Sequence, residues 1–221
     1  MPRPRSDIQP RIVHAARARF LESGVDGASL RAIASDAGTN VGMIFYYFPT
    51  KDDLFLAVIE EVYVKLLDDL AAALAGDAPV RERLERVFAR IGRASEDEVT
   101  VVRLVVREAL LSHERFGRVF ARMQRGHVGM ILSTLAEGIS RGEIDAGIPP
   151  PLLLLSCIGL GAFPQLVRRA AGDRAPFSAL PDPDKLAHES GELLFRAIGA
   201  TRTREPVPAR RPRPKRRTAV R

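Results

Sequence analysis

Tryptophan is absent from this 221-residue chain, and cysteine occurs once, at Cys157. A lone cysteine excludes an internal disulfide framework and points to a reducing, cytoplasmic compartment. The opening MPRPRSDIQPR has no apolar segment of the kind a secretory leader needs. Strand signals are missing as well: no alternating run is bounded by hairpin turns, which excludes a β-sandwich or barrel. Enzyme signatures are absent, with no phosphate-cradling glycine loop, HExxH pair or GxSxG elbow. No catalytic residue and no cofactor are therefore expected. The four histidines, His14, His113, His127 and His188, are scattered. Fourteen residues separate His113 from His127, which is not a metal-ligand spacing on one helix, so no metal site is expected.

Charge is present but unevenly placed. The formal net charge is +7. Residues 200–221 carry nine Lys/Arg against one acid, residues 1–51 seven against four, and residues 52–199 eighteen against twenty-two. The large middle is mildly acidic, and the two ends hold the positive charge that can neutralise phosphates and release counterions. This division suggests a reading domain over 1–51, a helical effector-binding and dimerisation domain over 52–199, and a disordered basic tail over 200–221. The tail is too rich in proline and too poor in apolar surface to order itself. Its Arg211-Pro212-Arg213-Pro214, like Arg3 and Arg5 at the other end, is suited to general phosphate attraction more than to minor-groove reading.

Helical periodicity runs through the middle. Pro10 suits a first turn, and Ile12, Ala16 and Phe20 then form one stripe until Gly24 stops the helix. A long helix from Asp52 to about Leu74 places Leu54, Val58, Val62 and Leu66 inward. Pro79 opens a helix to about Ile91, Ser95 caps the next, and a single further helix is expected from about Glu114 to Arg141. Within that series, Arg103, Arg107 and Glu108 read as a structural ion-pair network or as polar anchors of a ligand cavity. The interval between Asp145 and Arg168 lacks charge, but Pro149, Pro150, Pro151 and Pro164 interrupt the unbroken apolar run a bilayer demands. It is read as a helix buried on several sides, packed on the domain core or on another subunit.

The densest information lies in Ser29–Lys51, SLRAIASDAGTNVGMIFYYFPTK. Ser29 can N-cap a helix whose Leu30, Ile33, Ala34 and Ala37 share one face. Gly38 supplies the left-handed backbone of a sharp turn, and Asn40 offers a second N-cap. Ile44 and Phe48 anchor the second helix, while Val41, Gly42, Met43, Tyr46 and Tyr47 occupy its other face and Phe45 is expected in the core. Pro49 ends it, and Thr50 with Asp53 forms a capping box for a third helix.

These residues resemble the DNA-binding domain of TetR-family transcriptional regulators, from about Ile12 through Ala57. The resemblance implies an all-α chain: an N-terminal helix-turn-helix domain followed by a helical ligand-binding and dimerisation domain. It implies double-stranded DNA as partner, with Val41, Gly42, Met43 and Tyr46 facing bases and Tyr47, Lys51 and Ser29 holding phosphates. Arg31 is the best-placed hydrogen-bonding reader, since a guanidinium fits the two acceptors of a guanine edge. Val41 stands where the family often has a polar or basic residue and Met43 where threonine is common, which shifts weight to thymine methyls and DNA shape. The last two long helices, Pro151–Ala171 and Asp184–Ile198, are the implied homodimer interface. A small, largely apolar effector is implied, with Phe88, Val102, Val106, Leu110, Phe120 and Met123 as its candidate lining. The chain reads as a ligand-responsive repressor of a near-palindromic operator. Open alternatives are a constitutive or architectural DNA-binding protein without effector, and a helical small-molecule binding protein or enzyme that keeps a nonfunctional helix pair.

Overall fold

The computed structural model describes residues 7–200. Helix α1 (Ile8–Gly27) buries Ile12, Ala16 and Phe20 and is broken at Gly24, where φ is +75°. Glycine reaches this left-handed backbone without a Cβ penalty, so the helix stops as its sequence suggests, then makes one more turn to Gly27. Helices α2 (Leu30–Asp36) and α3 (Val41–Tyr47) form the angled pair, and α4 (Lys51–Leu74) leads away from it. Then follow α5 (Val80–Gly92), α6 (Glu96–Leu111), α7 (His113–Arg125) and α8 (His127–Ser140). Helix α9 (Pro150–Ser156) passes through a π-wound stretch, Cys157–Ala162, into α10 (Phe163–Ala171), and α11 (Pro183–Ile198) closes the described chain. Among the described residues there is no strand, only an isolated antiparallel bridge between Ile144 and Gly199.

Two apolar cores are strung along α4. The first joins Ile12, Phe20, Ile33, Ile44, Phe48, Leu54 and Phe55 with Val101, Leu104 and Val119 from α6 and α7. Phe20 and Phe55 meet edge-on at 6.3 Å, an arrangement that adds about 1 kcal/mol beyond area burial. The second core gathers Leu74, Val80, Leu84, Phe88, Leu135, Ile144, Leu153, Cys157 and Leu194. Leu66 touches both, so one continuous rod is common to the two.

Two expectations need correction. The single helix over Glu114–Arg141 is two helices, parted at Gly126, where the backbone leaves the helical region with φ −106° and ψ −123°. A side chain there would collide with the Tyr63 hydroxyl of α4, so the break accommodates a close approach by a distant element. Within one subunit, the apolar segment over Pro150–Ala171 is buried on one side alone, so packing on the domain core does not cover it. Leu152, Leu155, Ile158, Leu160 and Phe163 are exposed. Its fully buried residues are Leu153, Cys157, Gly161 and Gln165, four residues apart. By length and composition this helix is apolar enough to cross a membrane. Its inner face is nonetheless bound to protein: Gln165 donates to the Pro183 carbonyl (2.8 Å) and Arg168 to the Gly92 carbonyl (3.3 Å).

Candidate nucleic-acid interface

Local chemistry builds the reading head. The Ser29 hydroxyl accepts from the Ala32 N–H at 3.4 Å, and Ile33, Ala34 and Ala37 bury the inner face of α2. Gly38, at φ +60°, turns the chain, and Thr39 N–H donates back to the Ala34 carbonyl at 2.9 Å. Asn40 Oδ1 accepts from the Met43 N–H at 3.0 Å and starts α3. Ile44 and Phe48 fix that helix to the core. The Thr50–Asp53 capping box is fully formed, which aligns α4 directly after the Pro49 turn.

With its inner face anchored, α3 turns the rest outward. Tyr46 is 76% exposed, Gly42 is exposed, and Val41, Met43 and Tyr47 are half-buried along the same short helix. The Tyr46 and Tyr47 rings meet edge-on at 5.1 Å, so each limits the other's rotation. Arg31 stands exposed in the first turn of α2, and Ser29 is exposed beside it. Phe45 departs from expectation: it is 49% exposed, because buried positions on α3 are taken by Ile44 and Phe48 and its own direction falls between them and the solvent face. Lys51 is also more than a surface cation. Its Nζ donates to the carbonyls of Asp26 (3.0 Å) and Ala28 (2.8 Å), tying the start of α4 to the end of α1.

The six residues expected around a ligand do not enclose one cavity. Phe88 is buried in the second core against Gly161, whereas Val106, Leu110 and Phe120 are exposed, Leu110 by 83%. Val102 and Met123 are half-buried, and of the six Met123 alone borders the cavity that lies between α4 and α7. That cavity, of about 210 Å³, has Leu56, Ile59, Val119 and Met123 as apolar lining and Arg118, Arg122 and Arg125 at its edge. Arg122 lies over the Tyr63 ring at 5.0 Å and pairs with Glu60 at 2.9 Å. The apolar stripe of α6 and α7 is wide enough in sequence to be lining or surface, and its outer half is surface.

Polar side chains cluster where the head meets the larger helical part. Arg115 of α7 donates from Nε to Asp52 (2.9 Å), from Nη1 to Glu108 (2.8 Å), and through both Nη atoms to Asp26. Glu108, buried, also accepts from the Val25 N–H at 3.2 Å. Arg107 donates to the Leu21 carbonyl at 3.3 Å, while Arg103 is exposed outside this cluster. The hydrogen bond from Arg115 holds the Asp26 carboxyl below its ordinary value, and Asp26 with Asp52 pushes the Arg115 guanidinium up. Arg115 carried no sequence signal beyond its place four residues before Val119 on the inward side of α7. Its partners lie 7, 63 and 89 residues away, so the fold alone assembles them.

Among the described residues no cluster of three or more His, Cys, Asp and Glu is arranged to hold a metal. His127 faces Tyr63, with Nδ1 2.7 Å from the hydroxyl, and His113 is exposed. Burial pushes the Cys157 thiol up to about 12, which keeps it protonated and unreactive at neutral pH. Arg3, Arg5 and the basic run after Ala200 lie outside the described residues.

Residues 12–58 match the sequence profile of the bacterial regulatory proteins of the tetR family. The chain is 30% identical over 173 residues to an HTH-type transcriptional repressor of Streptomyces coelicolor, covering 73% of this chain and 82% of that protein. It is 23% identical over 137 residues to the fatty acid metabolism regulator protein of Bacillus subtilis, covering 62% and 71%. A solved structure of the transcriptional regulator FadR from Bacillus subtilis, in complex with stearoyl-CoA, shares the fold with a TM-score of 0.66 at 21% identity. The match covers 86% of this chain and 98% of that one.

Proposed function

Because the chain belongs to the TetR family of bacterial transcriptional regulators, we propose that α3 is its recognition helix and that a homodimer lays two such helices on a near-palindromic operator. The observation that carries this reading is a helix fixed by Ile44 and Phe48 that turns Tyr46, Gly42 and Phe45 to solvent. Val41, Gly42, Met43 and Tyr46 face base edges, Arg31 reads a guanine, and Ser29, Tyr47 and Lys51 steady the backbone. Phe45 joins the outward set as an apolar contact.

The paired surface is the outward side of Pro150–Ala171 together with Leu193 of α11, all apolar and exposed in a single subunit. Pairing sets the two heads one helical turn of DNA apart, about 34 Å. A small, largely apolar effector acts by binding one arrangement of the heads better than another, and only that difference in affinity relieves repression. The stearoyl-CoA held by the Bacillus regulator supports a ligand-taking role for the helical body. Action on chromosomal operators places the protein in the cytoplasm.

The test is a mobility-shift titration on the DNA upstream of the chain's own gene. Arg31→Ala should lose about 1–3 kcal/mol on the preferred site and relax its sequence preference, as expected of one bidentate base contact. Lys51→Ala should weaken binding to all sequences. It should also lower the melting temperature, since two carbonyls lose their donor. Binding indifferent to both substitutions overturns the groove assignment.

A further inference from the structure

We propose that Arg115 is the positioning residue that fixes the reading head to the larger helical part, by gathering Asp26, Asp52 and Glu108 on one guanidinium. The inference rests on the DNA-reading assignment above and adds how that head is held. Its three carboxylates come from the last turn of α1, the first turn of α4 and the last turn of α6. Glu108 extends the grip to the Val25 N–H, and Lys51 binds the Asp26 and Ala28 carbonyls from the other side. Residues 25–28 are thus seized at several backbone and side-chain points directly before Ser29, the cap of α2. Where that segment goes, the helix pair follows.

A planar, five-donor group is what this geometry needs. Three separate carboxylates are met by Nε and both Nη atoms at once, which a lysine ammonium on one flexible stem does not reproduce. The arrangement also has a direct mechanical neighbour. Val119, one turn beyond Arg115 on α7, lines the cavity between α4 and α7, so a shift of α7 against α4 at the cavity displaces the guanidinium and with it the end of α1. Stability alone would be served as well by apolar packing, because buried ion pairs are weak stabilisers once desolvation is counted.

The decisive variant is Asp26→Asn. The Asp26 side chain is 82% exposed, so its neutralisation strands no buried charge, while Arg115→Lys keeps the charge and removes the fork. Full-length protein and both variants are compared by operator binding, binding to an unrelated duplex, thermal melting, and amide hydrogen exchange. Each variant should raise the operator dissociation constant about tenfold, the scale of a typical coupling between sites. Unrelated-duplex affinity and the Asp26→Asn melting temperature should stay near wild type. Exchange should quicken over residues 25–48 only, and the double variant should cost less than the sum of the two. Asp26→Glu should restore operator binding. Unchanged operator affinity and unchanged local exchange in Asp26→Asn, or faster exchange across the whole chain with a lowered melting temperature, overturns the proposal. If Arg115→Lys does not fold, Asp26→Asn decides alone. Wild-type protein without site preference would count against the DNA-reading assignment, and the exchange comparison would still judge Arg115.

Discussion

At the scale of single residues, His127 links protonation to stability. Its backbone N–H donates to the Tyr63 hydroxyl oxygen at 3.1 Å, and the same hydroxyl is hydrogen-bonded to ring Nδ1 at 2.7 Å. Burial lowers the His127 pKa from its ordinary 6.5. The unfolded chain therefore takes up a proton at a pH where the folded one does not, and stability falls as pH drops below about 6.5 toward the folded value. Melting curves between pH 7.5 and pH 5 should show this decline, and His127→Gln should flatten it in that window. A slope unchanged by the substitution would mean that other groups govern it. None of this is legible in the sequence: the histidine looks like one of four scattered rings because its partner sits 64 residues earlier. Phe45 misleads for a related reason. Hydrophobicity marks a side chain as suited to burial, but only the phase of α3 decides which neighbours use the available space.

Elements whose ends are set by nearest neighbours are the readable ones. Ser29, Asn40, the Thr50–Asp53 box and Ser95 all cap the helices their spacing suggests. Capping is a bond between residues two or three apart, so sequence holds all of its parts. Asn40→Ala should cost about 1 kcal/mol, seen as a lower melting temperature, and should loosen α3 enough to weaken operator binding. Gly24→Ala should cost more, because φ of +75° is strained for any Cβ and the new methyl would press on Arg107. The break at Gly126 is hidden for the opposite reason. Apolar spacing continues across it from Val119 to Val128 and Leu135, and its cause, the Tyr63 hydroxyl, belongs to another helix.

For the whole molecule, composition identifies the most apolar segment but not what covers it. A core helix and a subunit-facing helix look alike in sequence, and the pairing proposed above rests on the exposure of Leu155 and Phe163, 62% and 59%. Leu155→Asp should therefore leave the subunit folded. Sedimentation should show the expected dimer shifted toward monomer, with operator affinity falling as the two heads lose their fixed separation. Deletion of residues 201–221, which removes nine basic residues and one acid, should preserve site preference and make the salt dependence shallower, by roughly 0.9 in slope for each phosphate no longer neutralised. A deletion that abolishes sequence preference would give the tail a reading role instead.

The π-wound turn at Cys157–Ala162 acts as a phase adjuster. Strict four-residue spacing drifts by about 40° at each step on an ordinary α-helix, and the wider winding takes up that drift, so Leu153, Cys157, Gly161 and Gln165 stay aligned. Winding the same six residues as an ordinary α-helix would swing everything after them by about 100°. Gln165 would then leave the Pro183 carbonyl. On the pairing proposed above, a subunit with an uninterrupted α-helix here would turn the residues after Ala162 to a different side, and the seam would match along its first half alone.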